Sequence, residues 1–405
     1  VAWLRLASCH NWRPCWEQAP LTAGVRTAGS HTCCRHRLGE ALARHWADLQ
    51  AESGDSPDGV LRPDAAGAGA ETQHLQRDIT AQREALRFRA LDVLARALPA
   101  SDQRRQAWQN LDAFSTVWVG CWLSEEAYLT NAEFGEVATR YMGLPSPACE
   151  GMATEPIAGT RQVLDRCGLR LSSLLLPGDG WRMQHASLNW RIVADAKEMG
   201  VAVRPEVYGL FAACIPQHER ARFDGLPLRK RQGLVPDFHV LLQWDGRGPE
   251  RALLLELKTL HFAPSTYQPQ ATQRCSAVAR RAGALPREYA AKAQRVDRDY
   301  CGTLAGLVGP VESRLRAFDP VKGLVFGAFG EASPDVHRLV SALAHAGSMQ
   351  HYRDMGAREP SEVQGALAWL IKRRWAIAAV RENARLTLGR LEYVGSGATA
   401  AARRR

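Results

Sequence analysis

The chain has 405 residues, 46% of them hydrophobic, and 52 Lys and Arg against 42 Asp and Glu leave a net charge of +10. Length allows two or three domains with a sizeable core, no run approaches the roughly 20 apolar residues of a membrane span, and the basic balance favours polyanionic partners. The 10 cysteines form no regular framework and no secretion signal precedes them, so an intracellular setting, nuclear or cytoplasmic, is expected.

Cys9, Cys15, His31, Cys33, Cys34 and His36 lie close together near the start. Their spacing does not fit a paired Cys-x-x-Cys zinc framework, and free cysteines are the simpler expectation. Residues 52–71, rich in Gly, Ala, Asp and Pro, read as a linker that closes an N-terminal segment at 1–71. A mostly helical region is expected over 72–150: a charged amphipathic pattern from Thr72 to Leu98, then Gln103 to Met142 with Trp108, Trp118 and Trp122 as packing residues. Leu144-Pro-Ser-Pro147 marks its end.

The stripe Leu188, Ile192, Ala196 and Met199 predicts a helix over 183–199 that stops at Gly200. A strand is expected over Val201–Ile215. Two aliphatic runs follow, Leu234–Trp244 and Arg251–Leu260, separated by the turn formers Asp245-Gly-Arg-Gly-Pro-Glu250. A turn centred between Arg247 and Gly248 sets Asp237 opposite Lys258 and His239 opposite Glu256. Side chains alternate along a strand, so Asp237, His239, Glu256 and Lys258 share one face and Phe238, Val240, Leu242, Trp244, Leu253, Leu255 and Leu257 the other. Opposed Cβ atoms lie roughly 5 Å apart and diagonal ones about 7–8 Å, close enough for two carboxylates to share one divalent ion. The alternative is an ordinary solvated sheet face.

Beyond the hairpin, Pro286–Tyr300 reads as a basic helix, Lys322-Gly-Leu-Val-Phe as a buried strand, and Ser333-Pro334 as the cap and first turn of a helix carrying Val336, Leu339, Val340 and Leu343. Ser361-Glu-Val-Gln364 has the pattern of a capping box opening a last helix with Lys372, Arg373, Arg374, Arg381 and Arg385. The tail, 396–405, is basic. P-loop, His-Glu-x-x-His and Gly-x-Ser-x-Gly patterns are lacking, which leaves ATPase, zinc-protease and serine-hydrolase chemistries without footing.

Val235-Pro-Asp237 followed by Glu256-Leu-Lys258 resembles the signature of the PD-(D/E)XK, or restriction-endonuclease-like, nucleases. The resemblance implies an α/β domain over 151–395 in which a mixed sheet flanked by helices carries the site. It implies Asp237 and Glu256 as ligands of Mg²⁺ or Mn²⁺, Lys258 as the catalytic lysine, and an additional acid for which Glu206 is the local candidate. Mg²⁺ takes few protein oxygens and keeps several waters, and a backbone carbonyl such as that of Leu257 can complete the set. Arg229, Lys230, Arg231, Lys292, Arg373 and Arg374 are the expected nucleic-acid contacts.

A second resemblance concerns the front half. Asn131-Ala-Glu-Phe-Gly-Glu-Val, Gly143-Leu-Pro-Ser-Pro and Pro177-Gly-Asp-Gly-Trp-Arg-Met-Gln-His185 are similar to segments downstream of reverse transcriptases in retroelement-derived reading frames, where a restriction-like endonuclease closes the polyprotein. No Asp-Asp pair occurs, so the polymerase motif is missing. His185 stands as an extra site candidate, with an ordinary helix-start histidine as the alternative. The expected activity is metal-dependent, endonucleolytic hydrolysis of DNA, with RNA or an RNA/DNA hybrid as other substrates. The competing expectation is a catalytically inactive nucleic-acid-binding or assembly protein that keeps the fold.

Overall fold

The structure, a computed structural model, describes residues 85–86, 88–120, 128–225, 234–244, 248–262, 264–267 and 276–395. The Cys/His group at 9–36, the linker at 52–71, Trp122, Arg229, Lys230, Arg231 and the basic tail lie outside the described residues. The chain divides into two compact units, 1–98 and 99–405. In the first, residues 88–97 are helical, and Arg96 Nε lies 2.7 Å from Asp92 Oδ2 one turn back.

The second unit is mixed α/β. In chain order it contains α1 (Gln103–Asn110), α2 (Asn131–Met142), α3 (Leu169–Ser173), α4 (Gly180–Glu198), β1 (Val203–Pro205), α5 (Gln217–Asp224), β2 (Phe238–Leu242), β3 (Arg251–Thr259), α6 (Pro264–Tyr267), α7 (Ala277–Cys301), α8 (Pro310–Arg316), β4 (Lys322–Phe326), α9 (Pro334–His351) and α10 (Pro360–Gly389). Residues 99–150 fall in one compact unit with the residues that follow them. The reason is packing: Trp118 and, from α2, Val137 and Tyr141 share a core cluster with Ile377, Val380 and Ala384 of α10.

The four strands lie in the order β1-β2-β3-β4, antiparallel except for the parallel pair β3 and β4. One face buries Phe238, Val240, Leu242, Leu253, Leu255, Leu257, Leu324 and Phe326 against α4, α9 and α10. Each such aliphatic or aromatic side chain contributes roughly 1.5–3 kcal/mol by leaving water. The opposite face is covered by α7 and α8, which bring Tyr289, Ala293, Val311 and Leu315 onto Leu254, and Val278, Ala282 and Leu285 onto Val325. Contact between α7 and β4 is close at Gly323, where an added Cβ would stand 2.6 Å from Ala282 Cα.

Several sequence expectations are corrected here. The pairs Phe238↔Leu255, His239↔Leu254 and Val240↔Leu253 shift the expected hairpin register by two residues. Asp237, next in line, therefore stands across from Glu256 and not Lys258, and His239 across from Leu254 and not Glu256. Because the slip is even, the assignment of residues to faces is unchanged. The strand expected over 201–215 stops at Pro205: Glu206 still donates its N–H to Asp237 O, but its left-handed φ of 43 turns the chain away after that bond. Helix α7 starts at Ala277, capped by Ser276, and holds Pro286 in its interior rather than at its front. Ser333 does not cap α9 with its side chain; the hydroxyl instead donates to Gly323 O at 2.5 Å and accepts from Val325 N at 3.1 Å, tying the helix start to β4. Helix α10 begins at Pro360, behind Glu359, so the box read from Ser361 does not form.

Candidate functional site

Four segments bring the site together. Asp237 sits just before β2, where its carbonyl accepts from Glu206 N at 2.9 Å. Its Oδ2 accepts from the backbone N–H of Leu257 at 2.7 Å, which pins the aspartate side chain to the neighbouring strand. Glu256 and Lys258, two apart on β3, point the same way, and Lys258 Nζ donates to Glu256 Oε1 at 2.5 Å. From α7, Tyr289 OH donates to Glu256 Oε2 at 2.6 Å, the shorter of two options, since Val235 O lies 3.3 Å away. From α4, His185 Nε2 meets Asp237 Oδ1 at 3.2 Å.

Glu256 is only 6% exposed, so the solvated-face alternative does not describe it. Burial and then the negative charge of Asp237 push its carboxyl above the usual range, with Lys258 and Tyr289 opposing the shift. Burial would lower the imidazole of His185, but its hydrogen bond with Asp237 and that carboxylate's charge outweigh burial and hold it above its ordinary value. Burial also raises the Tyr289 hydroxyl, reinforced by Glu256, so the tyrosine stays a proton donor. The four groups thus set two carboxylates against one ammonium and one imidazole.

The remaining expected residues are placed less centrally. Glu206 is exposed and accepts from Tyr208 OH at 2.9 Å; its backbone amide, rather than its carboxylate, reaches Asp237. Lys292 lies one turn beyond Tyr289 with its ammonium 5.1 Å from the ring centre, on the rim of the site. Beside it Glu288 is ion-paired with Arg281, whose Nη2 is 3.1 Å from Glu288 Oε2, and this hydrogen bond, with the charges of Arg281, Lys292 and Lys258, outweighs burial and leaves the glutamate below its usual range. Arg373 stacks over Trp369 at 5.4 Å. Arg374 bonds Asp195 at 2.8 Å and Glu198 at 2.6 Å, which makes it a joint between α10 and α4. His239 keeps to the face of Asp237, but it is pushed down by burial and packs edge-on to Phe318 at 5.9 Å. Tyr289 was not singled out from sequence: a tyrosine in a stripe with Leu285 and Ala293 has the pattern of a core residue.

Among the described residues, no group of three or more His, Cys, Asp or Glu side chains converges as metal ligands. Two carboxylates nevertheless fit a hard divalent ion such as Mg²⁺, which takes one or two protein carboxylates and keeps waters. Each carboxylate oxygen can accept more than the one hydrogen bond it already receives. The repulsion that lifts Glu256 is the energy a cation between the two groups would relieve. Among the described residues, no helix is long and apolar enough to cross a membrane. Compared with known proteins, the chain matches no family model, no curated protein and no solved structure.

Proposed function

We propose that the chain is a Mg²⁺- or Mn²⁺-dependent nuclease on a restriction-endonuclease-like core, cutting DNA endonucleolytically and derived from a mobile element. The observation that carries this reading is the pairing of Asp237 with Glu256 across adjacent strands, with Lys258 Nζ 2.5 Å from the glutamate. The order α4, β1, β2, β3, α7, β4 supports it, because a helix, a three-strand meander, a helix and a parallel strand is the arrangement the resemblance implies.

A divalent ion held by Asp237 and Glu256 would activate a bound water and offset charge on the phosphate. The chain's own groups do the rest. Leu257 N–H and His185 fix the two oxygens of Asp237, and Tyr289 fixes the outer oxygen of Glu256. Lys258 supplies a movable ammonium beside the reacting centre, where it can orient the attacking water or meet the charge that develops on the phosphate. Lys292 on α7 gives the rim the sign a phosphodiester needs. Plasmid DNA and Mg²⁺ test the reading: wild type should nick or linearise it, and Asp237→Ala and Lys258→Ala should not. Equal residual activity in all three proteins overturns it.

A second reading is favoured by one specific observation. Each oxygen of Asp237 and Glu256 already has a protein donor, so the quartet with His185 and Lys258 is balanced without an ion. A nucleic-acid-binding protein that keeps the fold but lacks the activity would look the same. Such a protein binds DNA equally with and without Mg²⁺ and regardless of Asp237→Ala.

A further inference from the structure

Helix α7 leaves the site at Tyr289 and ends in a loop whose tip is apolar. Leu304, Leu307 and Val308 are 72%, 62% and 50% exposed, three large hydrophobic side chains within five residues. Most exposed apolar residues elsewhere stand singly, which is ordinary for a protein surface; a contiguous tip is not. The loop is also held firmly. Asp297 O accepts from Thr303 N at 3.2 Å on the outgoing side, and the buried Asp297 carboxylate accepts from Val311 N and Glu312 N, both at 2.8 Å, on the returning side. Gly302 at φ 67 and Gly306 at φ 86 make the two sharp bends, and Leu307 N closes the tip onto Leu304 O at 3.1 Å. One residue, Asp297, therefore anchors both ends of a loop that projects its leucines into solvent, with its backbone carbonyl at the outgoing end and its carboxylate at the returning end.

The surroundings are cationic. Arg295, Arg298, Arg314 and Arg316 are exposed around the loop. Arg298 pairs with Asp299 and Arg316 with Glu312, while Arg314 lies over Phe318. Two of the four are offset by these acids, so the basic track from Lys292 toward the tip rests on Lys292, Arg295 and Arg314. The 13 residues from Tyr289 to Gly302 span about 20 Å at 1.5 Å per residue, which matches about six base pairs of duplex at 3.4 Å each.

We infer that the Leu304–Val308 loop is a wedge that inserts between base steps of duplex DNA about six base pairs from the phosphate held at Asp237 and Glu256. This inference rests on the nuclease reading for where the DNA lies. Apolar side chains opening a base step while neighbouring arginines hold phosphates is a known economy of DNA deformation. Charge complementarity along α7 selects the occupant, since the track connects the tip to the phosphate-binding rim. The partner is double-stranded, because a wedge acts on a base-pair step and gains by kinking the duplex.

The test uses the full chain in EDTA and a short DNA duplex with 2-aminopurine at successive positions, either continuous or carrying a small central bulge. Wild type should raise fluorescence at one interior position and bind the bulged duplex more tightly than the continuous one, because the bulge is already unstacked. Leu304→Ser/Leu307→Ser/Val308→Ser should abolish the fluorescence rise and the bulge preference and weaken duplex binding about tenfold, with single-strand binding unchanged. Leu307→Ser alone, expected to act in the same direction, serves if the triple variant does not fold. Unaltered fluorescence and affinity in a folded loop variant overturn the wedge. So does a loop variant whose only defect is loss of binding to vesicles of anionic lipid, or loss of self-association in sedimentation. Mg²⁺-dependent cleavage that requires Asp237 reports the nuclease reading separately: cleavage with an inert loop sinks the wedge alone, and base-step opening without cleavage sinks the nuclease alone.

Discussion

Helix α4 carries a charged arrangement at each end, and the two are balanced differently. At its C-terminal end Asp195, 0% exposed, accepts from Trp375 Nε1 at 2.7 Å and from Arg374 at 2.8 Å, with Arg191 3.8 Å away. Burial raises that carboxyl, yet every group facing it is a donor or a cation. At the N-terminal end His185 meets Asp237, which faces a second carboxylate, Glu256, raised by burial and also by repulsion. A buried acid ringed by cations ties helices together. One set against another acid depends on Lys258 and His185 for its balance, a role that a divalent ion can also fill.

The largest expected effect separates the two ends. Asp195→Ala leaves Arg374 and the Trp375 indole without their buried partner and should lower folding stability by about 3–5 kcal/mol, read by urea denaturation. Cleavage per folded molecule should not change. At the other end the balance reverses: Lys258→Ala should cut plasmid cleavage by about 10²–10³-fold with little movement of the denaturation midpoint. A joint-like loss of stability at Lys258 would erase the distinction.

Glu331 offers a reference that belongs to neither end. It is buried against Tyr267 OH at 2.7 Å and Phe329 N at 2.9 Å, and burial, the largest cause, pushes its carboxyl up to about 7. With the folded value above the unfolded one, its contribution is fully present below the unfolded value, near 4.5, and is lost as pH rises through about 7. Glu331→Gln should therefore flatten stability against pH, removing up to about 3 kcal/mol of decline between about pH 4.5 and 7. The smallest effect is at His185, whose raised value has the same sign: its contribution is present below the ordinary imidazole value and disappears as pH climbs past the folded one. His185 is partly exposed, so solvent screening keeps the cost of His185→Ala below about 1 kcal/mol in acid, with none in base. A larger cost in base than in acid would contradict the assigned contact with Asp237.

The sheet and its first helix were legible in the sequence because their signals are periodic. Leu188, Ile192 and Ala196 recur at helical spacing, and the alternation of β2 and β3 separates Phe238, Val240 and Leu255 from Asp237 and Glu256. Register was not legible: the connection at 245–250 does not dictate a turn centre, and only an even slip preserved the faces. Tyr289 was hidden because its partner Glu256 is 33 residues away and its own stripe is apolar. Pro286 marked a helix start by local preference, whereas the packing of Val278, Ala282 and Leu285 on Val325 carries the helix nine residues further back. At Ser361 the box pattern was local and real in letters, but Pro360 already occupies the first turn. Conversely Thr130-x-x-Glu133 has the same local pattern with no proline in its way, and there the capping box does form.

The meeting of Gly323 with α7 has a consequence for traffic. With an added Cβ only 2.6 Å from Ala282 Cα, backbone rides on backbone there, and no intervening side chain acts as a hinge pad. The roof over Glu256 is thus bolted to the floor one strand away, and it cannot lift without tearing the Val325 contacts. Anything that reaches the glutamate enters sideways, past His185 and Lys258 at the partly exposed margin. Bulk placed at that doorway should exclude a visitor more effectively than any change that loosens the helix above it.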